Sequence, residues 1–463
     1  MYNKLLEIIS SKEREVALLH QKFNLDELKA ETKETGIHVY QHLRNRVANE
    51  GHFFISEFKR KSPSEGNINQ WVFLDEQLDQ YAKAGTTVVS VLTDTPFFGG
   101  DYTDLKKATA YLKGSGVLIL QKDFIIDPIQ IYLARSKGAH MVLLIARILE
   151  ADKLEELKNI AESLGMGVLL ELHDEEEYDK VSHLRHAVLG VNNRDLDNFN
   201  TYINRFNVLA DKLPKDALLV AESGMHSVID FAMLKSKAHG YLVGTSLMRT
   251  GVNTSLNDHF GLDTSYFFKA CGLRFKEHFT DVKADLIGVN FSGLSKRAIK
   301  EEVLSRVKIP NNSVAVFKNN TQETILEIMN RYPFKYAQIY IDDIPNLEML
   351  QNIKAKIAIA GSVNNPEQLE QMISYANYAD LFILDGPKPG EGMASEIENY
   401  KAFPFPFLMA GGMNSQNLDR ILDIPNCIGV DMASGLETDG ELDPQKSTRV
   451  YSLLKSLKQS TVC

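Results

Sequence analysis

Glu57 and Lys59 stand two residues apart in the stretch FFISEFKRKSPSEGN, residues 53–67, and the period of a strand puts both on one face. Taking an ion out of water costs several kcal/mol unless partners compensate, so an acid and a base at the end of an apolar strand ask for a chemical reason. The pattern recurs along the first half of the chain. Lys122 ends GVLILQKD, Glu171 ends GVLLELHD, and Asn192 and Arg194 end AVLGVNNRD. Glu222 and Ser223 end LLVAESG, and Thr245 and Ser246 end GYLVGTSL. A lysine in a low-dielectric pocket or beside other cations moves toward neutrality and can donate a proton, while a partly desolvated glutamate can accept one. Any one of these charges could simply be solvated at a strand end. Lysines and glutamates gathered at the ends of several strands argue instead for one acid–base site.

The elements that must position these residues repeat in a regular rhythm. Short apolar runs alternate with amphipathic stretches such as DEQLDQYAKAG and ADKLEELKNIAESLG, a pattern of parallel strands joined by crossover helices. Eight such units end near residue 250, and eight more run from SYFFKACG to CIGVDMASG. The expected fold is therefore α/β, two consecutive (β/α)8 barrels. A doubly wound open sheet is the rival, but neither half has a GxGxxG turn after its first strand. Residues 1–50 precede the first strand and read as a helical extension, with Leu5, Ile8 and Ile9, then Val39, Leu43 and Val47, at helical spacing. The expected domains are 1–252, a polar linker over 253–264, and 265–463.

Bulk properties bound the rest. A chain of 463 residues exceeds the usual single core of roughly 100 to 200 residues and leaves room for two large barrels. The net charge of −10 offers no basic stripe for nucleic acid. Cys271, Cys427 and Cys463 lack metal-ligand spacing and suit a reducing compartment. The N-terminus MYNKLLEIISSKEREVALLH has no signal-peptide core, and no run approaches the ~20 apolar residues of a membrane span. The expected location is the cytoplasm, away from membranes. His38 and His42 in HVYQH have i, i+4 spacing but lie in the leading helices, so no metal site is expected there, and no cofactor elsewhere.

Barrel folds often bind phosphate through the loops after strands 7 and 8. Those loops read ESGMHS and GTSLMR in the first half, AGGMNS and ASGLET in the second. Glycine lets backbone N–H groups approach an anion, and hydroxyls add donors. Recurrence at matching positions predicts a small phosphorylated substrate in each half.

With these motifs in order, ISEFKRKSPSEGN, SVLTDTPFFGG, QKDFIIDPIQIY, LLELHDEEE, GVNNRDL, VAESGM and LVGTSLMR, the first half resembles indole-3-glycerol-phosphate synthase. The second half resembles phosphoribosylanthranilate isomerase through KACGLR, SKRAI, FILDG, PFLMAGGMNSQNL and GVDMASGLE. The first resemblance implies ring closure of carboxyphenylaminodeoxyribulose phosphate with loss of carbon dioxide and water. It implies Lys122 as general acid at the substrate carbonyl and Glu171 as the acid–base group for dehydration. Lys59 is then placed for the substrate carboxylate or a proton transfer, Glu57 orients the lysines, and Asn192, Glu222, Ser223 and Arg194 position the substrate. Gly224, Gly244 and Thr245 would hold the phosphate, with Ser62 closing nearby. The second resemblance implies an Amadori rearrangement, with Cys271 as base and Asp385 as the acid at the ring oxygen. Arg297 would meet the anthranilate carboxylate, and Gly411, Gly412, Ser434 and Gly435 the phosphate.

The second half departs from its family's pattern at GLR after the cysteine, at QIYIDD after the fourth strand and at PGEG after the acid. Two rivals therefore remain at this stage: a second barrel serving as a non-catalytic scaffold or phosphosugar-binding module, and a Schiff-base barrel using the rim lysines. The resemblance also leaves other enzymes of tryptophan biosynthesis open as partners.

Overall fold

The computed structural model describes residues 2–69, 71–185, 188–195, 200–262, 266–293, 295–386 and 396–457. The chain divides into two units whose main boundary falls after Leu262. Each unit carries a closed barrel of eight parallel strands. In the first these are β1 (Phe53–Phe58), β2 (Val88–Leu92), β3 (Leu118–Lys122), β4 (Met141–Ile145), β5 (Gly167–Leu172), β6 (Val188–Asn192), β7 (Leu218–Glu222) and β8 (Gly240–Val243). Strands covered on both faces need continuous apolar runs, and β2, β4 and β8 are buried at every position.

The barrel interior explains why the polar residues sit where they do. Phe53 and Ile55 on β1, Leu118 and Leu120 on β3, and Leu218 and Val220 on β7 belong to one buried cluster. The next step of two along each strand reaches Glu57, Lys122 and Glu222. The same apolar alternation that fills the barrel thus delivers ionisable groups to its C-terminal mouth. Two glycines make room for them. A Cβ on Gly190 would lie 2.0 Å from Glu222 Oε1, and one on Gly244 2.5 Å from Glu57 Oε1.

The leading residues form α1 (Tyr2–Lys22), α2 (Leu25–Glu31) and α3 (Val39–Glu50). Val39 and Leu43 of α3 join the interior cluster and close the barrel at the start of β5, where a Cβ on Gly167 would lie 2.6 Å from Val39. α1 lies at the other end, and its Leu5 and Ile8 face the cavity at the mouth. Its anchor is Lys12, fully buried, with Nζ 2.7 Å from Asp123, 3.2 Å from Asp94 and 2.7 Å from Glu15. Burial opposes a charge on Lys12, but the three carboxylates override it and hold the ammonium above its ordinary value. Removing one member of such a cluster strands buried charges. Lys12→Met is expected to lower the unfolding free energy of the first unit by about 3–5 kcal/mol, measurable by chemical denaturation.

The polar stretch expected as a linker contains the helix Leu256–Phe260, capped by Ser255, whose side chain accepts from Asp258 N. Leu256 and Phe260 are buried, and Phe260 stacks on Phe54 of β1 with ring centres 5.7 Å apart. Apolar residues four apart on an otherwise polar segment are enough to dock it. Positions 263–265 and Cys463 lie outside the described residues.

The second unit repeats the plan with β9 (Phe267–Cys271), β10 (Leu286–Asn290), β11 (Ser313–Phe317), β12 (Tyr336–Tyr340), β13 (Lys356–Ser362), β14 (Leu381–Asp385), β15 (Phe407–Ala410) and β16 (Cys427–Met432). One ion pair lies between its strands: Lys269 of β9 is in register with Asp431 of β16, fully buried, with Nζ 2.7 Å from Oδ2. Among the described residues no helix is long and apolar enough to cross a membrane, and no group of three His, Cys, Asp or Glu side chains is placed to hold a metal.

Candidate active sites

Every residue singled out in the first half, Glu57, Lys59, Ser62, Lys122, Glu171, Asn192, Arg194, Glu222, Ser223, Gly224, Gly244 and Thr245, lines one cavity at the mouth of the first barrel. Lys122 lies between two carboxyl groups, with Nζ 3.3 Å from Glu171 Oε2 and 3.3 Å from Glu222 Oε2. Lys59 Nζ lies 2.7 Å from Glu57 Oε1. Asn192 Nδ2 donates to Glu171 Oε1 at 3.1 Å, while its Oδ1 accepts from Arg194 N at 3.1 Å.

The carboxyl groups are not equivalent. Burial would raise all of them, but Lys122, His173 and Asn192 hold Glu171 below its ordinary value, and Lys59, Lys122 and Arg194 do the same for Glu57. Glu222 shares Lys122 with Glu171, and its Oε1 has no hydrogen-bond partner among the described residues. Burial, reinforced by repulsion from Glu171, therefore pushes Glu222 up to about 8. Lys122 stays a cation because Glu222, Glu171 and Glu57 outweigh the burial that would neutralise it. Lys122 is thus favoured as an ammonium, and of the two carboxyl groups that share it Glu171 is pushed toward its ionised form and Glu222 toward its protonated form.

That arrangement has a signature in stability. A carboxyl raised in the folded state stabilises fully below its ordinary value of 4.5, and this contribution is lost as pH rises through about 8. Glu222→Gln cannot ionise. It is expected to melt no higher than the parent at pH 5 but several degrees higher at pH 9, about 2–4 °C for each kcal/mol of repulsion removed. Calorimetry at the two pH values checks this.

The loops complete the cavity. Ser223 and Gly224 have φ of 64° and 84°; a non-glycine residue in this region is uncommon and marks a constrained turn. Ser62 belongs to a small hairpin, Lys61–Ser62 paired with Gly66–Asn67, over the mouth. Arg194 donates to Ser64 in that hairpin, and Arg249 Nη2 reaches Glu65 Oε2 at 2.6 Å.

In the second unit Cys271, Arg297, Asp385, Gly411, Gly412 and Ser434 line one cavity. Gly435 lies outside that lining and packs on the Met413 carbonyl, which a Cβ would approach to 2.1 Å. Gly411 has φ of 83° and lies against Gly386, so a side chain there has neither backbone freedom nor space. Cys271 ends β9 and Asp385 ends β14. Burial and then Asp431 raise Asp385, which favours its protonated form, and Tyr340 donates to its Oδ2 at 3.3 Å. Burial also raises the Cys271 thiol, opposed by Lys269. A Cβ on Gly288 would lie 2.7 Å from Cys271 Sγ and 3.1 Å from Lys269 Nζ, so a glycine is what lets thiol and ammonium share that corner. Arg297 is engaged in a forked pair, Nε and Nη2 lying 2.6 and 3.2 Å from the Glu437 oxygens.

Several participants are absent from the sequence-based expectation. His173 lies between Glu171, at 3.3 Å from Nε2, and Glu177, at 3.1 Å from Nδ1. Its position two residues after Glu171, just past the end of β5, was the available signal. Lys269 stands two residues before Cys271 on β9. Lys318 and Tyr340 also face the second cavity; their signal was the polar end of an apolar strand, used only in the first half. Arg274, in the GLR departure, ties loops together through the Gly440 and Lys296 carbonyls at 2.8 and 3.2 Å. The PGEG segment lies outside the described residues.

Residues 5–257 match the family described as indole-3-glycerol phosphate synthase, and residues 269–452 that described as N-(5'phosphoribosyl)anthranilate isomerase. The tryptophan biosynthesis protein TrpCF of Helicobacter pylori is 33% identical over 412 residues, covering 87% of this chain and 89% of that protein. TrpCF of Vibrio cholerae is 30% identical, covering 87% and 86%. The indole-3-glycerol phosphate synthase of Bacteroides thetaiotaomicron is 38% identical over 251 residues, 54% of this chain and 94% of that protein.

Proposed function

The chain belongs to the family of bifunctional tryptophan-biosynthesis proteins that join indole-3-glycerol-phosphate synthase to phosphoribosylanthranilate isomerase, and from that premise we propose how its residues divide the work. The second barrel isomerises phosphoribosylanthranilate, and the first converts the product to indole-3-glycerol phosphate. The observation that carries the reading is the cluster of Lys122 between Glu171 and Glu222 at the mouth of the first barrel.

In the second cavity Asp385, holding a proton, gives it to the furanose ring oxygen as the ring C–O bond breaks and an iminium forms. Cys271, as thiolate, takes the C2' proton, and the enolamine becomes the ketone. Acid and base come from different strands, β14 and β9, so each can work from its own side of the sugar. The phosphate is held by backbone N–H groups around Gly411, Gly412, Ser434 and Gly435.

In the first cavity the aromatic carbon bearing the carboxylate bonds to the ketone carbon while Lys122 protonates the ketone oxygen. Carbon dioxide leaves, its bonding electrons returning to the ring. Glu171, favoured in its ionised form by Lys122, His173 and Asn192, then takes a proton from the neighbouring methylene carbon and hands it to the new hydroxyl, which departs as water. Lys59 faces the departing carboxylate or moves a proton, with Glu57 orienting it; Asn192, Arg194, Glu222 and Ser223 position the substrate. Gly224, Gly244 and Thr245 receive the phosphate, and Ser62 closes over it. The synthase spans 1–252 and the isomerase 265–463, and both work in the cytoplasm on small phosphorylated substrates.

Incubating the full chain with phosphoribosylanthranilate tests the scheme. Appearance of indole-3-glycerol phosphate with one carbon dioxide released per turnover supports it. Accumulation of unchanged substrate beside an active synthase would leave the second barrel a scaffold.

A further inference from the structure

Two carboxyl groups share Lys122, and on the reading above, on which this inference rests, only Glu171 serves the dehydration as base. The lysine cannot distinguish them, since its Nζ lies 3.3 Å from each. What differs is the second oxygen. Oε1 of Glu222 has no hydrogen-bond partner among the described residues, whereas Oε1 of Glu171 accepts from Asn192 at 3.1 Å and has His173 Nε2 at 3.3 Å. His173 is buried and does not line the cavity, so it meets the reaction only through that oxygen.

The imidazole is held from behind. Strand β5 ends at Leu172, and the turn into the helix Glu175–Val181 brings Glu177 back onto His173. Asp174 caps that helix by accepting from Glu177 N at 2.9 Å. One oxygen of Glu177, Oε2, takes both the backbone N–H of His173 at 2.8 Å and Nδ1 at 3.1 Å. The other accepts from Arg147 Nε in the turn after β4, and Arg147 Nη2 reaches Asp174 at 2.8 Å. Burial would raise Glu177, but His173 and Arg147 bring it down to about 2, and an ionised carboxylate can only accept. Nδ1 therefore carries a hydrogen, and Nε2 is the nitrogen left to exchange a proton. Among the described residues, Glu171 and Glu177 are the charged groups against the ring, with Lys122 beyond the first and Arg147 beyond the second.

We propose that His173 is a positioning residue of the synthase, tied through Nδ1 to Glu177 and Arg147 so that Nε2 marks out Glu171, and not Glu222, as the carboxylate that takes the substrate proton. With a hydrogen on Nε2 the ring is a cation bridging two carboxylates, and an opposite charge at this distance favours the ionised form of Glu171. Nε2 stands outside hydrogen-bond geometry, and active-site hydrogen bonds often tighten only when substrate is bound.

The pH dependence of synthase kcat on the full chain, with carboxyphenylaminodeoxyribulose phosphate as substrate, tests it. His173→Asn keeps an amide at the place of Nδ1 to meet Glu177 and removes the group facing Glu171. Its acid limb is expected to move up by about one pH unit or more, so that kcat is about tenfold below the parent at the acid end and converges with it at alkaline pH, while KM stays within about twofold. A longer amide, His173→Gln, restores a donor beside Oε1 and is expected to recover part of the shift. An acid limb in the parent's place, or a deficit equal at every pH, overturns the assignment, because loss of packing alone has no such pH dependence. Glu171→Gln separates this role from the reading beneath it. If that variant too keeps the parent's rate, the base assignment itself fails, whereas a slow Glu171→Gln beside an unshifted His173→Asn removes only the role of His173.

Discussion

Lys122→Ala is expected to slow formation of indole-3-glycerol phosphate by about 10²- to 10⁴-fold, the range of a positioned general acid, while the isomerase rate stays at the parent value. The effect is large because Lys122 does two things at once. It is the assigned proton donor, and it is the shared countercharge of Glu171 and Glu222, 3.3 Å from each. Without it those two carboxyl groups face one another in a buried site, and Glu171 loses the first of the charges that keep it ionised. Base strength and acid strength therefore fail together. Lys122→Arg keeps the charge but cannot readily give up a proton, so it is expected to retain the fold and lose the rate. Measuring both reactions in one preparation separates a chemical loss from misfolding; a parallel fall in the isomerase would point to the latter and count against the assignment.

Cys271→Ala is expected to produce the opposite pattern, an isomerase slowed by about 10²- to 10⁴-fold and a synthase unchanged on its own substrate. Alanine removes the base without adding volume, and Lys269 keeps its ion pair with Asp431, so the barrel has no reason to rearrange. Asp385→Asn is expected to match it, since an amide cannot donate to the ring oxygen as a carboxylic acid does, although it preserves the contact with Tyr340. The pH dependence adds a check. The acid must be protonated and the thiol ionised, so activity should fall on both sides of an optimum. Lys269 steadies the thiolate, and its removal should move the alkaline rise of iodoacetamide reactivity at Cys271 to higher pH. Full isomerase activity in Cys271→Ala would end this account of the second cavity.

Much of this was legible along the chain because strand and barrel impose short-range arithmetic. All sixteen barrel strands fall within apolar runs visible in the sequence, and in the first barrel a step of two from the last core residue lands on Glu57, Lys122 and Glu222. The helix Leu256–Phe260 was less visible because a single turn with two apolar residues barely departs from a polar loop. Residue type and strand position alone pointed to an acid–base set in the first half and a glycine-rich anion loop in each half, while motif order pointed to the two families and, through the second, to Cys271 and Asp385.

Only the tertiary structure decided which charges face which. That Glu222 is raised while Glu171 is lowered depends on His173 and Asn192 reaching one carboxylate and leaving the other's Oε1 alone. That Arg297 pairs with Glu437 depends on residues far apart in sequence meeting once the ring has closed. Periodicity acts between neighbours along the chain and can be read there. Electrostatic interaction inside a low-dielectric cavity depends on distances of a few ångströms between strands, which exist only once the barrel has closed.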